Sequence, residues 1–276
     1  MANIENSSSP EFVTGARILV VDDNRMSRKL IGMVLEGDAH AVVAVASGRE
    51  ALEAVAAHPF DLIFLDLLMP EMSGQEVLAA LKGDDRYKAI PVVIVSGAED
   101  THTATDCLAA GAAAFLPKPV DKATVRAVLS TELGNETSAA GTVAADAPSV
   151  GAKTDLADVP VFDAATISRL NSDFGGNKAA EFTSRFQELA RGHKEAVAGA
   201  ADAGDLDALR LAAHDLKGNA RTVGLARLGM FCREIEKSCD AGRADDARQS
   251  ASGLVRHFDE ALAALAGHAA KLPNNE

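Results

Sequence analysis

The chain has 276 residues, more than one small domain needs and comfortable for two, since independent domains mostly run to about 100–200 residues. Its 47% apolar and 24% charged content supplies buried cores and excludes wholesale disorder, while 40 acids against 27 bases leave a net charge of −13 that argues against nucleic acid as a direct partner. No apolar run reaches the roughly 18–20 residues of a membrane span, the N-terminus lacks a secretory pattern, and the scattered Cys107, Cys232 and Cys239 form no CxxC pair, so the expectation is a cytoplasmic protein with no direct membrane insertion.

In chain order, residues 1–16 are polar and aperiodic and read as a disordered leader, with Ser7 to Phe12 carrying the look of a cloning remnant. From 17 to 133, short runs rich in Val, Ile and Leu predict buried strands at Ile18–Val21, Ala41–Ala46, Leu62–Leu65, Pro91–Val95 and Ala113–Leu116. Between them lie helical stretches around 25–36, 48–57, 75–82, 101–110 and 121–133, and this alternation predicts a doubly wound α/β domain with a parallel sheet covered on both faces. Residues 134–160 are rich in Ala, Gly, Thr and Pro and read as a flexible linker spanning about 30 Å on average.

Beyond it, 161–270 contains no convincing strand. Apolar residues recur at helical spacing: Phe182, Phe186, Leu189 and Val197; then Leu209, Ala213, Leu216, Ala220 and Val223; then Leu228, Phe231, Ile235 and Cys239; then Leu254, Phe258, Leu262 and Leu265. Breaks at Gly204, Gly224 and Gly242 make this an all-α antiparallel four-helix bundle with a short leading helix at 163–173, followed by a tail at 271–276.

Three acids fall at the carboxyl ends of predicted strands: Asp22 and Asp23 after the first and Asp66 after the third, the edge where open parallel sheets bind ligands. Clustered carboxylates raise one another's pKa unless a cation joins them, and Mg²⁺ accepts one or two carboxylates together with phosphate oxygens. Ser96 ends the fourth strand and Lys118 follows the fifth, at the same edge. The set Asp22-Asp23, Asp66 with Met69-Pro70 and Gly74, Ser96, and Lys118-Pro119 resembles the receiver domain of two-component response regulators, which has a flavodoxin-like (βα)₅ fold, over essentially all of 17–133. The resemblance implies that Asp66 is phosphorylated, that Asp22, Asp23 and Asp66 hold Mg²⁺, and that Lys118 and Ser96 contact the phosphoryl group. Phe115 matches the family's aromatic switch position, with plain core packing an equal alternative, and Lys118-Pro119 is a candidate cis peptide. Two positions that tune aspartyl phosphate lifetime in this family are apolar, Leu68 and Ala98, so neither side chain assists an attacking water.

In the second half, Ala213-His214-Asp215-Leu216-Lys217-Gly218-Asn219 lies inside a predicted helix from Asp205 to Val223. Leu209, Ala213, Leu216, Ala220 and Val223 form its buried stripe, while Arg210, His214, Lys217, Gly218 and Arg221 share another face, so His214 is expected to face solvent among bases. A glycine inside a helix costs about 1 kcal/mol relative to alanine, and here it opens space beside the histidine. His214-Asp215-Leu216-Lys217-Gly218 is similar to the signature of histidine-containing phosphotransfer (HPt) domains, with Phe174-Gly175-Gly176, Gly204-Asp205 and Val223-Gly224 in agreement and Asn219 standing where that family more often has Ser. The resemblance implies that His214 carries a phosphoryl group, Lys217 supports it electrostatically and Gly218 gives access. His193, on the apolar stripe of the preceding helix, reads as structural.

The expectation is a phosphorelay intermediate in a His-Asp-His-Asp series, not itself an ATP-dependent kinase because too few residues follow His214. Asp66 takes a phosphoryl group from a sensor kinase's phosphohistidine, and His214 exchanges one with a receiver aspartate, its own or a separate protein's. The partners implied are an upstream histidine kinase and a receiver-domain protein. Alternatives are the C-terminal piece of a hybrid sensor kinase, a phosphorylation-controlled interaction module, and an HD-type metal phosphohydrolase using His214 and Asp215 with His193 and Asp259.

Overall fold

The computed structural model describes residues 14–97, 101–118, 120–134 and 159–269. The expected leader apart from Thr14, Gly15 and Ala16, most of the expected linker, the tail, Ala98 and Pro119 lie outside the described residues. The chain divides into two compact units, Met1–Ala147 and Pro148–Glu276.

In the first unit β1 (Arg17–Val21), α1 (Arg25–Gly37), β2 (Ala41–Val45), α2 (Gly48–Ala57), β3 (Leu62–Asp66), α3 (Gly74–Gly83), β4 (Val92–Gly97), α4 (Thr101–Ala109), β5 (Ala114–Lys118) and α5 (Lys122–Leu133) alternate strictly. The five strands form one parallel sheet in the order β2-β1-β3-β4-β5, the flavodoxin-like arrangement. Every residue of β3 is buried, as a strand covered on both faces must be. Two strands run further than their apolar runs predict: β4 continues through Ser96 and Gly97, and β5 through Pro117 and Lys118. The backbone ladder does not stop where side chains turn polar, and Pro117 is tolerated because β5 is an edge strand.

Register then sets the site. Val21 pairs with Leu65, Asp66 with Val95, Ser96 with Pro117 and Gly97 with Lys118. Asp22, Asp66, Ser96 and Lys118 therefore emerge from adjacent strands at one edge, next to the β1/β3 switch in strand order. Beneath them lies a core of Leu19, Val21, Ile63, Leu65, Val77, Leu78 and Ile94, with Phe115 half-buried against it.

In the second unit α6 (Ala164–Phe174) leads into α7 (Gly176–Ala203), α8 (Leu206–Thr222), α9 (Ala226–Asp240) and α10 (Ala244–Ala269). Helix α7 packs on α8 and α10, and α9 packs on the same two, closing an antiparallel four-helix ring around Phe186, Leu216, Ile235, Leu254 and Phe258. The α7–α8 turn needs Gly204, which sits in the left-handed region at φ +70°, and Asp205 then caps α8 by accepting from the Ala208 N–H. Gly224, also left-handed at φ +76°, has a second reason: a Cβ there would stand 2.5 Å from the Asp163 carbonyl oxygen, at the contact that ties the start of α6 to the α8–α9 turn.

Candidate functional site

At the sheet edge of the first unit, Asp22, Asp66 and Ser96 are 1%, 2% and 1% exposed. Lys118 joins two of these strands: its Nζ lies 2.5 Å from Asp66 Oδ2 and 2.9 Å from Asp22 Oδ2. Burial works against the ammonium, but the Asp22 and Asp66 carboxylates outweigh it and hold the Lys118 pKa above its ordinary value. Asp22, Asp23 and Asp66 each offer an oxygen, all within 4.8 Å of one another, and among the described residues this is the one such cluster of potential metal ligands. An all-oxygen carboxylate set suits a hard cation such as Mg²⁺ and excess negative charge in a buried site calls for one.

Local structure fixes Asp22 and Asp66. Asn24 caps α1 by accepting from the Met26 and Ser27 N–H groups, while its own N–H donates to Asp22 Oδ1 at 2.8 Å. The loop after Asp66 turns back so tightly that a Cβ on Gly74 would stand 2.0 Å from the Asp66 carbonyl oxygen, which accounts for the glycine. Ser73 then opens α3 with a capping box shared with Glu76. Leu68, two residues after Asp66, is 41% exposed at the rim of the site.

The second candidate site lies on α8. His214 is not simply solvent-facing, as its helix face predicts: its side chain is 18% exposed, and Nδ1 lies 2.9 Å from Glu236 Oε1 on α9. Lys217 donates to the other oxygen of the same carboxylate. The reason for the difference is the close packing of α9, which brings Glu236 over this face. The expected basic surroundings are likewise partnered, Lys217 by Glu236 and Arg210 by Asp240 at 3.9 Å. Burial pushes the Glu236 carboxyl up, but His214 and Lys217 outweigh it and keep its pKa below the usual carboxylate range. An ionised carboxylate only accepts hydrogen bonds, so Nδ1 of His214 carries a proton, and in the neutral form of the ring the lone pair is then the one on Nε2.

Gly218 follows His214 by one turn and is half-buried. On the α7 side, His193 is half-buried and its Nε2 lies 3.0 Å from Nδ2 of the buried Asn219. The amide nitrogen donates, so the ring nitrogen accepts, and burial lowers the His193 pKa to match. Asp259 is bound by Lys194 at 2.9 Å.

Two participants escaped the sequence reading. Glu236 adjoins Ile235 on the buried stripe of α9, so its position at the stripe's margin is the only trace it leaves in the sequence. Ser27, which donates to Asp22 Oδ2 at 2.5 Å, looks like an ordinary helical serine.

A response-regulator receiver domain profile matches residues 18–130, and an Hpt domain profile matches residues 181–268. The two-component response regulator ORR5 of Oryza sativa is 39% identical over 117 residues, covering 42% of this chain and 87% of that protein. The sensory/regulatory protein RpfC of Xanthomonas campestris is 29% identical over 233 residues, covering 83% of this chain but 31% of that protein, so the chain spans about a third of its length. Among solved structures, the chemotaxis response regulator CheY4 of Vibrio cholerae is 30% identical and covers 43% of this chain and 99% of that one, with a TM-score of 0.41.

Proposed function

Because the chain belongs to the response-regulator receiver family and joins an Hpt domain to that receiver in one phosphorelay signalling protein, we propose that Asp66 and His214 are its two phosphoacceptors. The observation that carries the Asp66 assignment is the convergence of Asp22, Asp23, Asp66 and Lys118 at one sheet edge, and His214 is supported by its place within the Hpt match.

Asp66 attacks the phosphorus of a sensor kinase's phosphohistidine through a carboxylate oxygen; the P–N bond breaks and the imidazole leaves with the electron pair. Such transfers depend mainly on positioning and on neutralising oxygen charge. Lys118 supplies a fixed cation at Asp66, and Asp22 shares and orients it. Ser96 adds a hydroxyl for a phosphoryl oxygen. Asp22, Asp23 and Asp66 are the residues that would hold Mg²⁺, which when bound neutralises phosphoryl oxygen charge. Phe115, half-buried and three residues before Lys118, is the proposed switch residue. Leu68 cannot hydrogen-bond a water, so hydrolysis of the aspartyl phosphate is unassisted at this position and the group remains available for transfer; an unchanged dephosphorylation rate in Leu68→Asn would contradict this.

At the second site, Nε2 of His214 attacks the phosphoryl group of a receiver's aspartyl phosphate, its own or a separate protein's, and the carboxylate leaves. Glu236 stabilises the Nδ1 proton as the ring becomes positive. Lys217 keeps a cation within one turn, and Gly218 leaves room for the partner's approach. An upstream histidine kinase and receiver-domain proteins are the corresponding partners. No described helix is long and apolar enough to cross a membrane, and the cytoplasm is the proposed location.

The test is phosphotransfer profiling of the wild type, Asp66→Ala and His214→Gln against candidate kinases and receivers. Asp66→Ala is expected to lose the acyl phosphate and His214→Gln the acid-labile phosphohistidine; full labelling in both variants overturns both assignments. The match to RpfC across both units favours a second reading, in which this pair is one part of a longer sensory protein. Immunoblotting the native protein from its source cells decides it by size.

A further inference from the structure

The buried face of α1 is otherwise apolar, formed by Met26, Leu30, Ile31, Val34 and Leu35. Ser27 interrupts it at 8% exposure. A buried serine inside a helix ordinarily satisfies its hydroxyl on a carbonyl one turn back. Ser27 instead donates to Asp22 Oδ2 at 2.5 Å, the oxygen that Lys118 also contacts at 2.9 Å. The other carboxylate oxygen, Oδ1, accepts from the Asn24 N–H at 2.8 Å, and Arg28 donates to the Asp22 carbonyl oxygen. The first turns of α1 thus grip Asp22 at its carbonyl and at both carboxylate oxygens. Within this grip Ser27 is the side chain that touches the carboxylate without touching Asp66.

The convergence of two donors on Oδ2 has two effects. It leaves Oδ1, with one donor, as the oxygen with more unused lone-pair capacity. It also divides the negative charge of Oδ2 between the hydroxyl and the ammonium, so Lys118 remains shared with Asp66, to which it lies closer.

We infer that Ser27 is a positioning residue of the phosphoacceptor pocket, fixing the orientation of Asp22 so that its carboxylate joins Asp23 and Asp66 around a divalent cation while Lys118 stays on Asp66. This rests on the proposed receiver chemistry and adds a residue to it. Carboxylates that bind a cation are themselves hydrogen-bonded, and removing such an outer partner typically costs about 10–100-fold in metal affinity.

The experiment is a calorimetric Mg²⁺ titration of the whole chain as wild type, Ser27→Ala, Ser27→Thr, Ser27→Cys and Asp66→Ala, with a thermal melt of each. Ser27→Ala is expected to weaken Mg²⁺ binding by about tenfold or more. Ser27→Thr, which keeps the hydroxyl, is expected to stay near wild type. Ser27→Cys keeps the volume with a weaker donor and should fall on the weakened side, which maintains the test if the alanine variant folds poorly. Wild-type affinity in both Ser27→Ala and Ser27→Cys overturns the inference, as does equal weakening in Ser27→Thr, because the hydroxyl would then not be the operative group. These results leave the pocket assignment standing provided that Asp66→Ala weakens Mg²⁺. A wild-type chain that binds no Mg²⁺ overturns the assignment and the inference together.

Discussion

Glu236 holds His214 from a neighbouring helix: Oε1 lies 2.9 Å from the His214 Nδ1, and Oε2 accepts from Lys217. One carboxylate thereby sets the imidazole tautomer, resists rotation of the ring and keeps a lysine beside it. Hydrogen bonds to charged groups are worth about 1.5–3 kcal/mol. Glu236→Gln should accordingly slow phosphoryl transfer to His214 by about 10–100-fold with the fold retained. The rate at which acid-labile phosphohistidine appears, with circular dichroism as the control, checks this.

Lys118 neutralises two carboxylates that are almost entirely buried. Replacing it by Met leaves Asp22 and Asp66 facing each other without a cation, and breaking a buried pair of this kind costs about 3–5 kcal/mol. Mg²⁺ can take over part of the neutralisation. Lys118→Met should therefore melt well below the wild type in EDTA, with a smaller gap in millimolar Mg²⁺, and should accept phosphate on Asp66 poorly in both. Differential scanning calorimetry in the two buffers provides the comparison; equal gaps would contradict the prediction.

Gly74 packs against the backbone of Asp66 and Leu67, where a Cβ would find oxygen at 2.0 Å. Gly74→Ala forces the loop carrying the acceptor to move, at a cost of about 1–3 kcal/mol, and should slow Asp66 phosphorylation as well. At Gly32, in α1, an added Cβ would meet nothing within 4 Å, and Gly32→Ala should be neutral or stabilising by up to about 1 kcal/mol. Urea denaturation of the two variants separates a steric cost from a general intolerance of substitution.

Each unit contains a histidine whose native pKa lies below its ordinary value because of burial, His40 in the first and His193 in the second. The folded state keeps both rings neutral, while the unfolded chain binds protons near the usual histidine pKa of about 6.5. Stability from these groups is therefore unaffected well above that pH and declines as pH falls through it toward the depressed native values. His40→Gln and His193→Gln should each flatten the acid side of the stability–pH profile between about pH 7 and 5, measured by denaturant midpoints.

The alternation of apolar runs with helical segments determined the parallel sheet, and the 3.6-residue stripes determined the bundle, because which face is buried follows from spacing alone. That Asp22, Asp23, Asp66, Ser96 and Lys118 share one edge was legible for the same reason: each lies at or just beyond the carboxyl end of a strand, and parallel strands bring those ends together. The helix that carries His214 was legible from the apolar stripe on its other face. The partners that orient these groups were not. Glu236 is 22 residues from His214 and reaches it only because α9 packs beside α8 at one rotation and height, and spacing within each helix specifies neither. Ser27 lies five residues from Asp22, yet its hydroxyl could have turned to its own helix; the loop between Val21 and Arg25 aims it at the carboxylate instead. Sequence periodicity assigns a residue to a face, while tertiary packing decides which polar groups on facing surfaces come within hydrogen-bond distance.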